Sequence, residues 1–239
     1  KLSASWCLIS AVALTNGFAF QVTNTHKVST QTTLHSSLSP VTLPSINGDA
    51  TPSTLANLNT NGSSHNRRPI VAGNWKLNPT TKAEALDLLH GLKAGAGQTA
   101  ADVVIFPPLP YLSDALSILH GTGIQVGAQN AASLDKGAFT GEIAPSMLAS
   151  SGCEYVLLGH SERRTLFGET DMSINDRVNA CLAEASLKVV LCVGETLEEY
   201  EAGLLNSVVD TQLKKGLAGV SKEDMDRVVI AYEPVWAIG

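Results

Sequence analysis

Beyond Pro69, short runs of apolar residues alternate with longer segments in which apolar positions recur every three or four residues. The short runs are typical of strands buried on both faces, and the longer segments are typical of amphipathic helices. The predicted strands cover residues 70–72, 103–106, 124–128, 155–158, 188–193 and 228–232. The predicted helices cover residues 81–93, 111–120, 145–151, 171–185 and 197–216. Strands that alternate with helices indicate an α/β fold with a parallel sheet.

The positions of polar residues decide between a barrel and a doubly wound sheet. Such residues follow the carboxyl ends of five of the six predicted strands: Asn74 and Lys76, Gln129 and Asn130, His160, Ser161 and Glu162, Glu195, and Glu233. A doubly wound sheet would concentrate its site where the strand order reverses, whereas a barrel collects residues from many strand ends on one rim. We therefore predict a barrel.

The composition is that of a globular protein, since 44% of the 239 residues are hydrophobic and 16% are charged. The net charge is −6. Residues 1–68 contain four basic residues and one acid, a net charge of +3, so the remainder of the chain carries −9. This acidic part should repel nucleic acid and acidic membranes. The four cysteines have neither C-x-x-C nor metal-ligand spacing, and we interpret them as reduced thiols.

The first 68 residues differ in character from the rest. An apolar segment at 6–14 is too short to span a bilayer and is followed by small and aromatic residues, so residues 1–20 have the parts of a signal peptide. Residues 21–68 are rich in Ser, Thr and Asn and lack any sustained period, and we expect a disordered, transit-like segment. Together they resemble the two-part leader of algae with complex plastids. We expect a plastid, with the mitochondrion and the secretory pathway as alternatives.

Several short motifs match known functional sites, but their positions in the chain argue against those functions. Residues 95–100 match the dinucleotide fingerprint G-x-G-x-x-A, but they follow a helix and precede a strand, the reverse of the order that phosphate binding needs. Residues 159–161 resemble the start of a nucleophile elbow, yet Arg163 stands where the closing glycine belongs. No histidine has a second ligand at metal spacing. We therefore expect neither a cofactor nor a metal.

Four side chains at three strand ends could carry chemistry together, although each taken singly is more often a structural or solvated residue. Glu233 ends an apolar strand, where burial would raise the pKa of the carboxyl and suit it to act as a general base. His160 precedes a helix-like start, whose positive end favours a neutral imidazole that can donate to an oxyanion. Lys76 lies two residues beyond Asn74, so both can face one anionic ligand. A base, a neutral donor and a cation are what proton transfer beside a carbonyl requires.

Four segments closely resemble the triosephosphate isomerase family and occur in the family's order: AGNWKLN at 72–78, GAFTGE at 137–142, LGHSERR at 158–164 and AYEPVWAIG at 231–239. The resemblance extends over residues 69–239. It implies a (β/α)8 barrel and an isomerase that interconverts dihydroxyacetone phosphate and D-glyceraldehyde 3-phosphate through an enediolate, in glycolysis, gluconeogenesis or the Calvin cycle. The family needs no cofactor.

The resemblance also implies a role for each matched residue. Glu233 would be the base, His160 would polarise the substrate and move protons among its oxygens, and Lys76 would stabilise negative charge while Asn74 helps to bind. Glu162, beside Lys76, and Ser161 would hold these groups in place without contacting the substrate themselves. The lid loop would begin with Pro234, Val235, Trp236, Ala237, Ile238 and Gly239. Family members pair as homodimers, in which Thr140 would approach the partner's Asn74 and Lys76.

The chain stops at Gly239, inside the lid of the family. We therefore expect a barrel truncated after its sixth strand. We also expect the chain of 239 residues to be inactive without the C-terminal part of the family's barrel. Two alternatives to an isomerase remain, a truncated fragment with no catalytic role and another phosphate-binding barrel such as an aldolase. The aldolase is disfavoured because Lys76 lies outside the desolvated pocket that a Schiff-base lysine needs.

Overall fold

The computed structural model describes the backbone of residues 7–11 and the whole of residues 68–97 and 99–237. Apart from 7–11 and Arg68, the two predicted leader segments, 1–20 and 21–68, lie outside the described residues. The last two residues of the predicted lid, Ile238 and Gly239, lie outside them as well. Within the described part, no helix combines the length and the apolar character needed to cross a membrane.

The described residues form one sheet of seven strands arranged in chain order. They are β1 (Cys7–Ala11), β2 (Ile70–Asn74), β3 (Asp102–Phe106), β4 (Ile124–Ala128), β5 (Tyr155–Leu158), β6 (Lys188–Val193) and β7 (Val228–Tyr232). Strands β2 to β7 are parallel, and each pairs with the next. This confirms the six predicted strands and gives the sheet order of the first six units of a (β/α)8 barrel.

Strand β1 runs antiparallel along the outer edge of β2, with Ile9 opposite Ala72. It lies within the signal-peptide-like segment, for which the sequence analysis predicts no strand. An unpaired edge exposes a row of N–H and C=O groups that another strand can bond, and β1 supplies such a strand.

The described residues of the barrel contain seven α-helices: α1 (Lys82–Gly95), α2 (Leu112–Ile118), α3 (Pro145–Ser150), α4 (Ser161–Phe167), α5 (Asp171–Ala183), α6 (Leu197–Glu201) and α7 (Leu205–Gly216). Short 3₁₀ turns cover Leu109–Tyr111, Asp224–Arg227 and Val235–Ala237. Several helices begin at a cap that the sequence provides. At α1, the Thr81 hydroxyl accepts from the backbone N–H of Glu84, and the Glu84 carboxylate accepts from the N–H of Thr81.

Two helical predictions differ from the structure. The helix predicted at 197–216 is divided into α6 and α7, because the chain leaves the helical path at Gly203, which has a φ of 72°. Helix α4 begins directly after His160, where the sequence analysis recognises only a helix start. The other four predicted helices are confirmed, with ends that differ by no more than two residues.

The strands bury side chains on both faces. Alternate residues such as Val190 and Cys192 belong to a cluster inside the curve of the sheet. Their neighbours Val189 and Leu191 belong to a second cluster that includes buried residues of the helices. Burial on both faces explains why the strands read as continuous apolar runs, and it places the polar residues beyond the strand ends.

Cys153 and Cys181 are free and buried, as predicted for reduced thiols, and Cys192 is buried as well. Burial raises the pKa of the Cys153 thiol to about 11 and that of the Cys181 thiol to about 12. Thiols with such values carry almost no thiolate at neutral pH, so these two residues act as small core side chains.

Candidate active site

A large cavity lies at the carboxyl ends of the strands. Its volume is about 690 Å³. Four predicted site residues line it: Asn74, Lys76, His160 and Glu162. Glu233 is joined to this wall through His160, since 3.4 Å separate Glu233 Oε2 from His160 Nε2. The polar strand ends therefore converge at one rim, as predicted for a barrel.

Glu233 follows the last residue of β7 and is 8% exposed. Its backbone N–H donates to the carbonyl of Val193 at 2.9 Å, so the strand ladder extends to this residue. Neither carboxylate oxygen accepts a hydrogen bond from the described residues. Burial raises the pKa of the carboxyl to about 7, against an opposing effect of the nearby Lys76 cation. Such a carboxyl is ionised in a large fraction of molecules at neutral pH and is still basic enough to take a proton efficiently.

His160 caps the start of α4 with its own ring. Nδ1 accepts a hydrogen bond from the backbone N–H of Glu162 at 3.3 Å. A nitrogen that accepts a hydrogen bond carries no proton, so the ring is neutral and Nε2 carries the proton. Burial lowers the pKa of the imidazole, and this effect exceeds the opposing one of the Glu162 carboxylate, 3.5 Å from Nδ1. The Nε2–H group is therefore a neutral donor beside Glu233.

Lys76 is held at several points on the rim. Its φ of 53° lies in the left-handed region that residues other than glycine seldom adopt. Its backbone N–H donates to Oδ1 of Asn74 at 2.9 Å, and its carbonyl accepts from Nε2 of Gln129 at 2.9 Å. Its ammonium group pairs with the carboxylate of Glu162 at 2.8 Å. The cation is thereby fixed beside the glutamate that also contacts His160.

The described part of the predicted lid consists of Pro234 and the 3₁₀ turn Val235–Ala237. The N–H of Val235 donates to the carbonyl of Glu195 at 2.9 Å. The indole N–H of Trp236 donates to Oε1 of Glu195 at 3.0 Å, and its ring centroid lies 4.7 Å from that of Tyr200. Glu195 is fully buried. These contacts anchor the start of the lid on the end of β6 and on α6.

The two remaining predicted residues lie in different places. Ser161 is the first residue of α4 and borders a small cavity that Glu233 also lines. Thr140 is exposed, next to Gly141 and Glu142, which line the large cavity. Ser161 therefore lies with the catalytic candidates, whereas Thr140 lies on the surface of the same rim.

Three residues that support the site have no role that the sequence predicts. Gln129 donates to the carbonyl of Lys76, and Glu195 holds the start of the lid. Arg164 donates to the carbonyl of Gly159, directly after β5, and to that of Cys192 within β6. Gln129 directly follows β4 and Glu195 lies two residues after the end of β6, and this position at a strand end is the signal that the sequence offers. Their partners are remote in the chain, so no local pattern indicates what they bind.

The chemistry of the rim follows from these groups. Among the described residues, no group of three His, Cys, Asp or Glu side chains could hold a metal ion. The rim combines a buried carboxyl with a pKa near 7, a neutral imidazole N–H and a fixed ammonium group. Such groups can remove a proton next to a carbonyl and stabilise the resulting oxyanion. Fold and site define a barrel enzyme that moves protons on a small anionic carbonyl compound.

Known proteins give the same result. The profile described as triosephosphate isomerase matches residues 69–239. Triosephosphate isomerases from Alkaliphilus oremlandii and Herpetosiphon aurantiacus are 48% and 50% identical over 173 and 174 residues, which cover 72% of this chain and 69% of each relative. The crystal structure of triosephosphate isomerase from Bartonella henselae matches with a TM-score of 0.65 and 39% identity, over 71% of this chain and 69% of that one. The chain belongs to the triosephosphate isomerase family.

Proposed function

We propose that this chain interconverts dihydroxyacetone phosphate and D-glyceraldehyde 3-phosphate, with Glu233 as the base. The observation that carries the role of Glu233 is its carboxylate, 3.4 Å from the Nε2 of a histidine whose Nδ1 already accepts a backbone hydrogen bond. That arrangement pairs a proton acceptor with a neutral donor at one point of the cavity wall. The identity of the substrate is supported by the similarity to the triosephosphate isomerases named above.

In the proposed reaction, Glu233 removes a proton from C1 of dihydroxyacetone phosphate. The electron pair of that C–H bond forms the C1–C2 double bond, while the π pair of the carbonyl moves onto its oxygen. Glu233 then returns the proton to C2, and the electrons of the oxygen at C1 form the aldehyde carbonyl. The net change is the transfer of one hydrogen between carbons and one between oxygens, so no redox partner is needed.

His160 and Lys76 stabilise the intermediate of this reaction. The Nε2–H of His160 donates to the oxygen that gains charge, and the ring moves the proton from one oxygen to the other. A neutral imidazole suits this task, because its conjugate base, the imidazolate anion, is close in basicity to an enediolate. Neutral imidazole, the conjugate base of an imidazolium, is a much weaker base than an enediolate. The Lys76 ammonium group lowers the energy of the negative charge, and Asn74 fixes the residue that presents it.

The test is an isomerase assay on the full-length gene product, in both directions, with Glu233→Gln as the control. We expect conversion by the parent and a loss of at least a thousandfold in the variant, because an amide accepts no proton. In deuterated water, deuterium should appear at C2 of the aldehyde product. An inactive parent, or a variant that keeps its activity, would contradict the proposal.

The two other functions predict different results. An aldolase that used Lys76 would lose activity when borohydride traps its Schiff base with a keto-phosphate. In the structure, Lys76 forms an ion pair with Glu162, which favours the charged amine over the neutral form that attacks a carbonyl. A fragment with no catalytic role would show no conversion in the assay above.

We also propose that the protein works as a homodimer. Apolar side chains are exposed around the cavity. Leu77, which is 90% exposed, Leu166 and Phe167 line it, and the exposed Phe139 lies two residues before Gly141, which also lines it. Clustered apolar surface of this kind is typical of an interface between proteins. A second copy that covered it would place the exposed Thr140 beside the partner's Lys76, as the family resemblance implies.

Sedimentation of the full-length gene product tests the dimer. We expect a dimer for the parent and a monomer with reduced activity for Phe139→Asp, because a charge on the patch opposes burial. Leu204→Asp is the matched control, a similarly exposed apolar residue between α6 and α7. A dimeric Phe139→Asp variant would contradict the proposed interface.

We further propose that residues 1–68 direct the chain to a plastid, where the reaction would serve the Calvin cycle. The support is the order of an apolar segment and an acid-poor segment rich in Ser and Thr. Residues 1–68 fused to a fluorescent protein should enter the plastid of a complex-plastid alga, whereas a fusion of 21–68 alone should remain in the cytosol. Mitochondrial or secreted fluorescence of the first fusion would refute the plastid.

A further inference from the structure

Gly194, the residue after β6, packs against the main chain of Glu233. A Cβ atom on Gly194 would lie 1.9 Å from the carbonyl oxygen of Glu233 and 2.7 Å from its carbonyl carbon. A side chain is therefore excluded at this position. Gly194 thus lies in close contact with the backbone that carries the Glu233 carboxylate.

The residues on either side of Gly194 join β6 to the start of the lid. The carbonyl of Val193 accepts from the N–H of Glu233, and the carbonyl of Glu195 accepts from the N–H of Val235, both at 2.9 Å. Successive residues of a strand turn their peptide groups to opposite sides. The N–H and C=O groups of Gly194 therefore point away from β7.

On that side of Gly194 the described residues provide no strand partner, because the pairing of β5 with β6 ends at Leu158 and Leu191. A side chain takes the place of the strand. The N–H of Gly194 donates to Oε1 of Gln212 at 2.8 Å, and Nε2 of Gln212 donates to the carbonyl of Gly194 at 3.0 Å. Gln212, on α7, thus bonds Gly194 through both of its amide groups, as a neighbouring strand would.

We propose that Gln212 is a positioning residue for the isomerase reaction, which holds Gly194 and, through it, the main chain of Glu233. The inference rests on the proposed function. Without the carboxamide, two peptide groups of Gly194 lose their partners and the end of β6 can move. A displacement of about 1 Å at a reacting group can cost on the order of a hundredfold in rate. The loss should therefore fall on kcat and leave KM nearly unchanged.

The variants Gln212→Met and Gln212→Glu of the full-length gene product test this role. Methionine keeps the size of the side chain and removes both hydrogen bonds. A glutamate carboxylate opposes the carbonyl of Gly194, but once protonated it donates to that carbonyl and still accepts from the N–H. The control is Asn175→Leu, because the Asn175 amide also bonds the backbone of a remote segment, donating to the carbonyls of Gly216, the last residue of α7, and of Ala218.

We expect Gln212→Met to lower kcat about tenfold to a hundredfold, with KM within about twofold of the parent. For Gln212→Glu, the ratio of its kcat to that of the parent should rise as the pH is lowered. Asn175→Leu should lose stability but keep its kcat.

An inactive parent would overturn the proposed function and this role with it. An active parent with Gln212→Met within twofold, a pH-independent ratio for Gln212→Glu, or an equal loss of kcat in Asn175→Leu would overturn the role of Gln212 alone. If Gln212→Met fails to unfold cooperatively, the Gln212→Glu ratio decides.

Discussion

Replacing Glu233 with glutamine is expected to stabilise the folded protein above neutral pH while it removes activity. The folded protein raises the pKa of this carboxyl from its ordinary value of 4.5 to about 7, because burial disfavours the charged form. The stability that the protonated carboxyl provides is fully present below about pH 4.5 and is lost as the pH rises to about 7. Above that pH, the native state carries the full penalty of a buried carboxylate, which a neutral amide avoids.

The magnitude follows from the pKa. Each pKa unit corresponds to 1.36 kcal/mol, so the rise from 4.5 to about 7 costs the ionised protein about 3 kcal/mol. Glu233 is 8% exposed, so solvent does little to reduce this figure. For a protein of this size, about 3 kcal/mol corresponds to a gain of roughly 6 to 12 °C in melting temperature.

The assay is urea unfolding of the full-length parent and Glu233→Gln, at pH 8 and at pH 5, followed by tryptophan fluorescence and circular dichroism. The difference in unfolding free energy should be about 3 kcal/mol at pH 8 and about 1 kcal/mol or less near pH 5. Glu201→Gln is the control, since Glu201 is exposed and its replacement should change stability by less than about 0.5 kcal/mol at either pH. Equal stability of parent and Glu233→Gln at pH 8 would refute the desolvation argument. The same gain at both pH values would trace the effect to packing instead of charge.

Three further predictions concern the same site. Glu233→Asp should lower kcat on the order of a hundredfold with KM within about twofold, because the shorter side chain withdraws the carboxylate; turnover within twofold of the parent would exclude Glu233 as the base. His160 should give nitrogen NMR shifts of a neutral ring with the proton on Nε2 throughout the active pH range, and a ring that becomes charged in step with activity would contradict its role as a neutral donor. Gly194→Ala should lose at least tenfold in kcat and melt several degrees lower, since its Cβ would overlap the carbonyl of Glu233; normal stability and kcat would show that this backbone contact is unimportant.

The strands and the rim could be predicted because each leaves a local signal. A strand buried on both faces, such as Tyr155–Leu158, is an unbroken apolar run, and its first polar successor marks the rim. The division of α6 from α7 could not be predicted in the same way. Apolar positions continue across Gly203, and a single glycine is tolerated within many helices, so only the folded backbone shows that it ends one there.

The identity of the catalytic candidates could also be predicted, but their geometry could not. Residue type and position at a strand end indicate that Glu233 and His160 face one cavity, whereas the distance between them depends on the register of three strands. The residues that support the site were harder still. Gln212 lies in the middle of a helix, and its partner Gly194 is 18 positions away, so its sequence context is that of any polar helical residue.

The left-handed backbone of Lys76 has a consequence for laboratory evolution. A residue other than glycine costs about 1 to 2 kcal/mol in that conformation, and the contacts with Asn74, Gln129 and Glu162 maintain it. Lys76 and Glu233 thus both make the folded chain less stable than it would be with glycine at 76 and glutamine at 233. Selection for heat resistance alone would enrich substitutions at these two positions, and a screen that also reads turnover is needed to retain the enzyme.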